Sequence, residues 1–275
     1  MLKLGGLNIN KGYLGSQEVI KAYLGSTVVF SSMEIAEFPF TTQSSANISI
    51  KTVDNSNYFI DWGDGNTIEY ASSTSYNTHN YASPTSGTMR IITSSSVVRL
   101  QCNSGAFDFT NVSNLTSLTF LYLSSNGFTG DMTNVSNLTS LTFLQLQGRN
   151  FTGDMTNVSN LTSLTYLVLS TNGFTGDMTN VSNLTSLTYL WLFSNQFTYT
   201  YATLSANFGT YLIILKANEL SNPSDIDNIL IDIDNSTTAG GGTIDLRSSG
   251  AGSPTSASAS AISSLQAKGR TVLTN

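Results

Sequence analysis

Leucine residues recur at fixed intervals through the middle of the chain. The segment Asn-Val-Ser-Asn-Leu-Thr-Ser-Leu-Thr begins at positions 111, 134, 157 and 180, which gives a period of 23 residues. In the first copy, Leu121 and Leu123 alternate with residues of other types, so they face inward from a short strand while their neighbours face outward. A period in the twenties predicts a solenoid, in which stacked turns bury a core that no single turn could bury alone.

The same frame extends beyond the four copies. Val98 and Leu100 lie 23 residues before the inward pair of the first copy, and Ile213 and Leu215 lie 23 residues after that of the last copy. At least six turns are therefore predicted to share one frame.

The full spacing, Leu-x-x-Leu-x-x-Leu-x-Leu-x-x-Asn, resembles that of leucine-rich-repeat proteins, and we assign residues 97–220 to such a solenoid. The residue after each strand is expected to bond exposed backbone groups through its side-chain amide. This column contains Asn103, Asn126, Arg149, Asn172, Asn195 and Asn218. Arg149 is the exception, and the sequence leaves open whether Asn150 compensates for it.

The outward strand positions differ between copies, whereas the convex segment is almost unchanged. A constant framework with a variable face is typical of a recognition surface, and aromatic residues dominate interface energies. The candidate partner-binding residues are Phe120, Tyr122, Phe143, Gln145, Tyr166, Val168, Tyr189, Trp191 and Phe193. The frame also places Val97 in the column of Phe120 and Arg99 in the column of Tyr122. The alternative is that the aromatic column stacks on itself, or is covered by another domain or another copy of the chain.

A column of aspartates follows each convex Phe-Thr-Gly segment. It contains Asp131, Asp154 and Asp177, with Asp108 in the same frame. Neighbouring turns would place these carboxylates only about 5 Å apart, so cation binding is one alternative. We favour capping, in which each carboxylate accepts hydrogen bonds from its own loop.

Residues 33–96 alternate apolar and polar side chains, as at 48–53 and 58–62, which predicts β-strands. The Asp-Trp-Gly-Asp-Gly turn at 61–65 and the His-Asn-Tyr segment at 79–81 resemble a PKD-type β-sandwich, which implies a spacer. Asp61 and Asp64 flank the turn, but the ligand spacing of a calcium loop is missing, so a structural turn is favoured over calcium binding. We expect His79 to be a hydrogen-bonded core or edge residue.

Residues 1–32 carry a short repeat of their own. Tyr13-Leu14-Gly-Ser recurs ten residues later as Tyr23-Leu24-Gly-Ser, which predicts strands joined by tight turns. Strands this short are marginal alone, so the module is expected to dock on the next domain or on a partner protein. The segment resembles N-terminal segments of phage tail and other virion proteins, and Tyr13, Leu14, Tyr23 and Leu24 are the candidate attachment residues.

Residues 221–275 lose the repeat frame. Apolar residues at helical spacing predict a helix from Ser224, with Ser224 as N-cap and Asp227 completing a capping box. A second helix is predicted at 256–268, with strands at 243–246 and 271–274. Such an atypical end unit would form an α/β cap that closes the solenoid core.

Composition excludes several functions. Charged residues make up 10% of the chain and the net charge is −6, so binding to nucleic acid has no electrostatic support. One cysteine and one histidine allow neither an intrachain disulfide nor a zinc site. We find no cofactor motif and no catalytic motif. A glycosidase that uses a pair of carboxylates is not tested by this search, because its two acids can come from any positions in the sequence. No apolar run has the length of a signal peptide core or a membrane span, so neither is expected.

The predicted fold is mostly β with an α/β cap: a leucine-rich-repeat solenoid preceded by a PKD-like β-sandwich and a small N-terminal β module. Leucine-rich repeats beside a PKD-like domain resemble phage virion proteins and BspA-like bacterial surface adhesins. The resemblance implies a non-enzymatic tail or head fibre on the virion surface, either as a homo-oligomer or in several copies within an assembly. Residues 1–32 would bind other virion subunits, and the concave face would bind a host-surface glycan or protein. The alternatives are an adhesin on the bacterial cell surface and a purely structural virion subunit whose concave face is buried.

Overall fold

The computed structural model describes most of the chain. The described residues are 2–4, 7–14, 17–24, 27–30, 34–124, 127–200, 213–214, 222–236, 240–247 and 252–275. Strands dominate these segments and form one sheet of 12 strands and two sheets of four.

The first sheet is antiparallel and comes from the N-terminal segment. Its strands are β1 (Leu2–Leu4), β2 (Leu7–Leu14), β3 (Gln17–Leu24) and β4 (Thr27–Phe30), paired in chain order. Strands therefore lie where the ten-residue repeat predicts them. The candidate attachment residues lie on β2 and β3, and the role of their side chains remains a prediction.

Residues 34–104 form five antiparallel strands of the large sheet. They are β5 (Glu34–Thr52), β6 (Tyr58–Asp61), β7 (Thr67–Tyr70), β8 (Asn77–Thr93) and β9 (Val97–Ser104). Their order in the sheet is β9-β5-β8-β6-β7. We call these residues the β unit. Alternate side chains such as Ile48, Ile50 and Trp62 are fully buried, as the alternating pattern predicts. The β unit is continuous with the repeats through β9, and a separate PKD-like sandwich is not established.

The repeats alternate short strands of two parallel sheets. They are β10 (Phe120–Ser124), β11 (Gly130–Asp131), β12 (Phe143–Gln147), β13 (Phe151–Asp154), β14 (Tyr166–Val168), β15 (Gly173–Asp177), β16 (Tyr189–Trp191), β17 (Gln196–Thr198) and β18 (Ile213–Ile214). The even-numbered strands continue the large sheet from β9, and the odd-numbered strands form the third sheet. In the described part of the repeats, 3-10 helices precede β10, β12, β14 and β16, at Thr110–Asn114, Met132–Val135, Met155–Val158 and Met178–Asn183.

The leucines of each turn point into one continuous core. The inward strand pairs, such as Leu121 with Leu123 and Leu167 with Leu169, are at most 3% exposed. Burial of each such side chain contributes about 2 kcal/mol. The same hydrophobic cluster extends from Ala36 in the β unit to Leu265 near the C-terminus. The repeats therefore form a leucine-rich-repeat solenoid whose core is shared with the elements on both sides.

Each turn is also bonded to the preceding turn by a threonine hydroxyl. Thr142, Thr165 and Thr188 each donate from Oγ1 to the carbonyl oxygen of the threonine 23 residues earlier, at 3.0 Å in every case. The backbone amides of the same residues bond to the same carbonyls at 2.8–2.9 Å. One contact is thus repeated unchanged from turn to turn.

The predicted frame is wrong by two residues in the first turn. Phe120 pairs with Arg99, and Leu123 pairs with Cys102, both 21 residues apart. Val97 therefore does not belong to the column of Phe120, and the inward pair of β9 is Leu100 and Cys102, each fully buried. At the other end of the repeats, the turn after the fourth copy keeps the 23-residue frame, since Leu190 pairs with Ile213. Leu215 lies outside the described residues.

The first turn is two residues shorter than the later turns, and the aromatic rings of the core show where it is shorter. Phe107 lies 6.3 Å from Phe128, centroid to centroid, close to the 6.4 Å between Phe174 and Phe197. Phe107 is therefore the structural equivalent of Phe128. The first turn continues directly to Asp108, whereas the later turns insert Thr-Gly between the phenylalanine and the aspartate. That two-residue difference accounts for the shift.

The C-terminal segment continues the parallel sheet with two helices beside it. Its elements are α1 (Pro223–Ser236), β19 (Thr243–Asp245), α2 (Ala259–Ala267), which follows a 3-10 turn at Ser256–Ser258, and β20 (Thr271–Leu273). β19 pairs with β18 and β20 pairs with β19. Neither described helix has the length and apolar character that a membrane span requires.

The predicted start of α1 is wrong. The side chain of Asn222 accepts a hydrogen bond from the backbone N–H of Ser224 at 3.1 Å, so Asn222 has the role predicted for Ser224. Pro223 occupies the first helical position, where its missing N–H costs nothing. Asp227 does not complete a capping box. It is buried and accepts hydrogen bonds from the backbone N–H of Thr255 and the hydroxyl of Ser258, so it ties the start of the second helix to α1.

Candidate functional site

The outward positions of β9, β10, β12, β14 and β16 form the surface that we call the concave face. Parallel pairing sets Phe120, Phe143, Tyr166 and Tyr189 side by side. Their rings stack face to face with centroids 4.1, 4.3 and 4.2 Å apart and planes within 12° of parallel. We call this row the aromatic ladder. The predicted alternative of self-stacking therefore describes the geometry of these four rings.

A cation covers the first ring of the aromatic ladder. The guanidinium carbon of Arg99 lies 3.4 Å from the ring centroid of Phe120. Arg99 also donates from Nη2 to Oε1 of Gln101 at 2.7 Å. Burial lowers the pKa of Arg99 below its ordinary value. Cation–π attraction of this kind contributes about 0.5–2 kcal/mol, depending on how far the cation is desolvated.

The second row of the concave face is chemically mixed. Register places Gln101, Tyr122, Gln145, Val168 and Trp191 beside one another. Val168 is only 3% exposed because larger side chains flank it on both strands, so it offers little surface to a partner and its predicted contact role stays a prediction. Gln145 donates to Oε1 of Gln147 at 3.3 Å.

The rings on and just after β16 differ in orientation from those of the preceding strands. Trp191 is tilted 60° to Tyr189 at 6.1 Å and 42° to Phe193 at 5.4 Å. Its Nε1 is buried and has no hydrogen-bond partner in the structure. These three half-buried rings form a tilted cluster, of which only Tyr189 also belongs to the aromatic ladder.

Asparagines stabilise the bend after the strands, as their column predicts. Asn195 donates from Nδ2 to the carbonyls of Leu169, Leu192 and Phe193 at 2.8–3.3 Å and accepts the N–H of Phe174 at 3.2 Å. Asn172 makes the equivalent four bonds one turn earlier.

The other members of the asparagine column differ. Arg149 is exposed and adopts a positive φ of 73°, whereas in the next two turns the positive φ falls one residue earlier, at Thr171 and Ser194. Asn150 is exposed, and Asn103 is also exposed because the frame is shifted there. Asn126 and Asn218 lie outside the described residues.

The aspartate column caps the 3-10 helices, as predicted. Asp131, Asp154 and Asp177 each accept the backbone N–H two residues ahead, at 2.7–2.9 Å, and Asp108 does the same at 2.9 Å. The hydrogen bond from the N–H of Thr133 is the main cause that lowers the pKa of Asp131 below its ordinary value. Gly153 and Gly176 precede two of these caps with φ of 114° and 94°, and a Cβ there would lie within 2.7 Å of neighbouring atoms.

The carboxylates of the 61–65 turn are already paired. Asp61 bonds to the N–H of Gly63 at 3.0 Å and to Nη1 of Arg90 at 3.0 Å. Asp64 bonds to the N–H of Asn66 at 3.0 Å and to Nε2 of His79 at 2.8 Å. His79 is 8% exposed, as expected for a bonded core residue. The geometry supports a structural turn, and no group of three metal-binding side chains occurs in the described part of the chain.

Comparisons with known proteins give partial likenesses only. No family model matches the chain, and no curated protein matches it. Among solved structures, the internalin InlF of Listeria monocytogenes is 28% identical over 50% of this chain and 39% of its own, with a TM-score of 0.38. Internalin C2 of the same species is 19% identical over 65% of this chain and 80% of its own, with a TM-score of 0.41.

A plant receptor is also similar. The leucine-rich-repeat ectodomain of the receptor kinase GASSHO1/SCHENGEN3 from Arabidopsis thaliana, in complex with CASPARIAN STRIP INTEGRITY FACTOR 2, is 20% identical over 50% of this chain and 22% of its own, with a TM-score of 0.31. The chain spans less than two thirds of the length of this receptor and of InlF.

Proposed function

We propose that the chain is a non-enzymatic recognition protein whose concave face contacts a partner molecule. The observation that carries the proposal is the set of half-buried aromatic and amide side chains at the outward strand positions. Tyrosine and tryptophan supply large contact area at low entropic cost and are enriched among the residues that dominate binding. The capped, asparagine-bonded turns beneath them hold these side chains in fixed positions.

The location that we propose is the surface of a phage virion, in a tail or head fibre. The N-terminal Tyr-Leu-Gly-Ser repeat, which resembles virion segments, supports this proposal. In this role the four-stranded N-terminal sheet binds other virion subunits, and its outer strands β1 and β4 are each paired on one side in the described structure. The PKD-like β unit would act as a spacer, and residues 221–275 would close the solenoid core. The concave face would bind the host cell surface.

A second candidate is a purely structural virion subunit whose concave face is buried against a neighbour. The stacked aromatic ladder supports a structural role for this face, because rings that cover one another stabilise the fold whether or not a foreign partner binds. An adhesin of the BspA kind would use the same face on a bacterial cell and differs from the fibre only in location.

Substitution of the tilted cluster separates these candidates. Tyr189→Ala with Trp191→Ala should abolish binding to host cells while circular dichroism shows a folded chain. The matched control is Thr162→Ala with Thr185→Ala, two exposed positions outside the concave face, which should leave binding unchanged. Retained cell binding combined with failed particle assembly would show that the structural candidate is correct.

The location has its own test. Mass spectrometry and antibody labelling of purified particles should find the chain on the virion surface, and a chain lacking residues 1–32 should fold yet be absent from particles. Labelling of bacterial cells with none on particles would identify an adhesin.

A further inference from the structure

The row that contains the aromatic ladder continues into the β unit with two cations. Phe120 pairs with Arg99 on one side, and Arg99 pairs with Lys51 of β5 on the other. Directly paired residues on neighbouring strands point to the same face of a sheet. Lys51 and Arg99 therefore lie side by side at the N-terminal end of the concave face.

Neither of these cations has a carboxylate partner in the described structure. The ion pairs of arginine and lysine that it contains are those of Arg90, Arg247 and Lys268. Like charges directly opposite each other on neighbouring strands destabilise a sheet. None of the outward positions of β10, β12, β14 and β16 is an aspartate or glutamate, so the face supplies no counter-charge.

The guanidinium of Arg99 is held in place by its neighbours. One face of it lies on the ring of Phe120, and Nη2 bonds to Gln101. Gln101 in turn donates from Nε2 to the hydroxyl oxygen of Tyr76. Because that oxygen accepts, the phenolic proton of Tyr76 is free to be donated, and Tyr76 is 37% exposed. Two cations on paired strands and one hydroxyl donor thus lie at the same end of the concave face, where the described residues supply no carboxylate partner.

We propose that Lys51, Arg99 and Tyr76 form an anion subsite that binds a carboxylate of an acidic polypeptide partner. The inference rests on the proposed recognition role of the concave face and adds the chemistry of one contact. A charge-assisted hydrogen bond to a carboxylate would offset the like-charge pairing of Lys51 and Arg99.

A polypeptide is favoured over an acidic glycan because the flat ring faces of the aromatic ladder at the end nearest Arg99 are already covered. Sugars pack their C–H groups against the electron-rich face of an aromatic ring, and here the inner ring faces lie against one another while Arg99 covers the outer face of Phe120. The exposed ring edges carry partial positive charge and suit the carbonyl oxygens of an extended peptide.

The test uses the full chain and three probes, followed by NMR through the Nε–Hε signal of Arg99 and the backbone amides of β9. The probes are acetyl-Ala-Asp-Ala-Asp-Ala-amide, its Asn counterpart, and trigalacturonate. The Asp peptide should shift these signals saturably, the Asn peptide should not, and added salt should weaken the effect. Tighter binding of trigalacturonate than of the Asp peptide would overturn the choice of a polypeptide.

Variants locate the subsite. Arg99→Gln should weaken binding of the Asp peptide about tenfold or more, and Lys51→Gln or Tyr76→Phe should each weaken it severalfold. Arg149→Gln removes an exposed cation from a bend outside the concave face and should leave the affinity for the Asp peptide unchanged.

Unchanged affinity in Lys51→Gln and Tyr76→Phe, both at exposed positions, would overturn the proposal even if Arg99→Gln failed to fold. Host-cell binding that is lost in the Tyr189/Trp191 variant but retained in these two would leave the recognition role standing without the subsite.

Discussion

Single side chains replace missing backbone hydrogen bonds at two described bends of the solenoid, those of Asn172 and Asn195. The amide of Asn195 satisfies three carbonyls and one N–H that point into the turn, and the residue is only 7% exposed. An aspartate could accept but not donate there, and a serine could not reach both turns. The bonding seen at Asn172 and Asn195 therefore requires a side chain that is both donor and acceptor.

Arg149→Asn is expected to stabilise the protein by about 1 kcal/mol, because it can restore the bonding pattern that Asn172 and Asn195 make. Gly148 immediately before it can adopt the positive φ that Thr171 and Ser194 adopt in their turns. The measurement is the free energy of unfolding in urea. Asn195→Ala is the opposite control and should cost about 2–4 kcal/mol by leaving buried carbonyls unpaired. A loss of stability in Arg149→Asn would show that this bend cannot take the common geometry.

Asp131→Ala should cost about 1 kcal/mol through loss of a helix cap. The pKa of Asp131 lies below its ordinary value of 3.8 in the folded chain, so the cap is fully effective above that pH and is lost as the pH falls through the lowered pKa. The stability difference between wild type and variant should therefore shrink on acidification. A difference that stays constant down to pH 2 would contradict a role for the ionised carboxylate.

The capping aspartates could be predicted because each accepts the N–H two residues ahead, within a local motif. The N-cap of α1 could not, since Asn222 and Ser224 are both good caps and only the backbone conformation decides which of them is used. The contacts of Asp227 depend on Thr255 and Ser258, about 30 residues away, and no local pattern encodes them.

At the scale of elements, the aromatic ladder stabilises the parallel strands that carry it. Each inner ring stacks on two neighbours, and each aromatic pair contributes about 0.5–1.5 kcal/mol beyond its buried area. Tyr122 lies on the same face and has no ring partner among the described residues. The two rows of the concave face therefore differ in what they do for the fold.

Tyr166→Ala should destabilise the chain by about 1–3 kcal/mol more than Tyr122→Ala, since it breaks two ring pairs. Tyr166→Phe keeps both pairs and should remain close to wild type. Thermal unfolding followed by circular dichroism gives the comparison. Equal losses for Tyr166→Ala and Tyr122→Ala would mean that stacking adds nothing to stability.

The repeat period and the inward leucines follow from near-identical copies, so the strands of the solenoid could be predicted with their register. The first turn lacks such a copy, and only the packing of Phe107 against Phe128 shows that two residues are missing after it. Arg99 was consequently placed in the wrong column. The burial of Val168 depends on the size of the side chains on neighbouring strands, which periodicity does not describe.

At the scale of the molecule, β9 joins the β unit to the solenoid. It pairs antiparallel with β5 and parallel with β10, and one hydrophobic cluster includes residues from both parts. Elements that share a strand and a core are expected to unfold together.

The chain offers one tryptophan on each side of β9, Trp62 in the β unit and Trp191 in the repeats. In Trp62→Phe and in Trp191→Phe, the fluorescence of the remaining tryptophan should change at the same urea concentration as the far-ultraviolet circular dichroism of that variant. The reason is that neither part can lose β9 without exposing the core of the other. Separate midpoints would show that the β unit and the solenoid unfold independently.

The threonine contact between successive turns has a consequence for how such a protein changes over generations. Each copy offers its predecessor and its successor the same bonding partners, so the two sides of any internal copy match each other. Recombination between near-identical stretches of the gene can then remove or duplicate a whole 23-residue copy and still leave every junction satisfied. The length of the concave face can therefore change by one 23-residue copy at a time, while the cations at one end and the tilted rings at the other are kept.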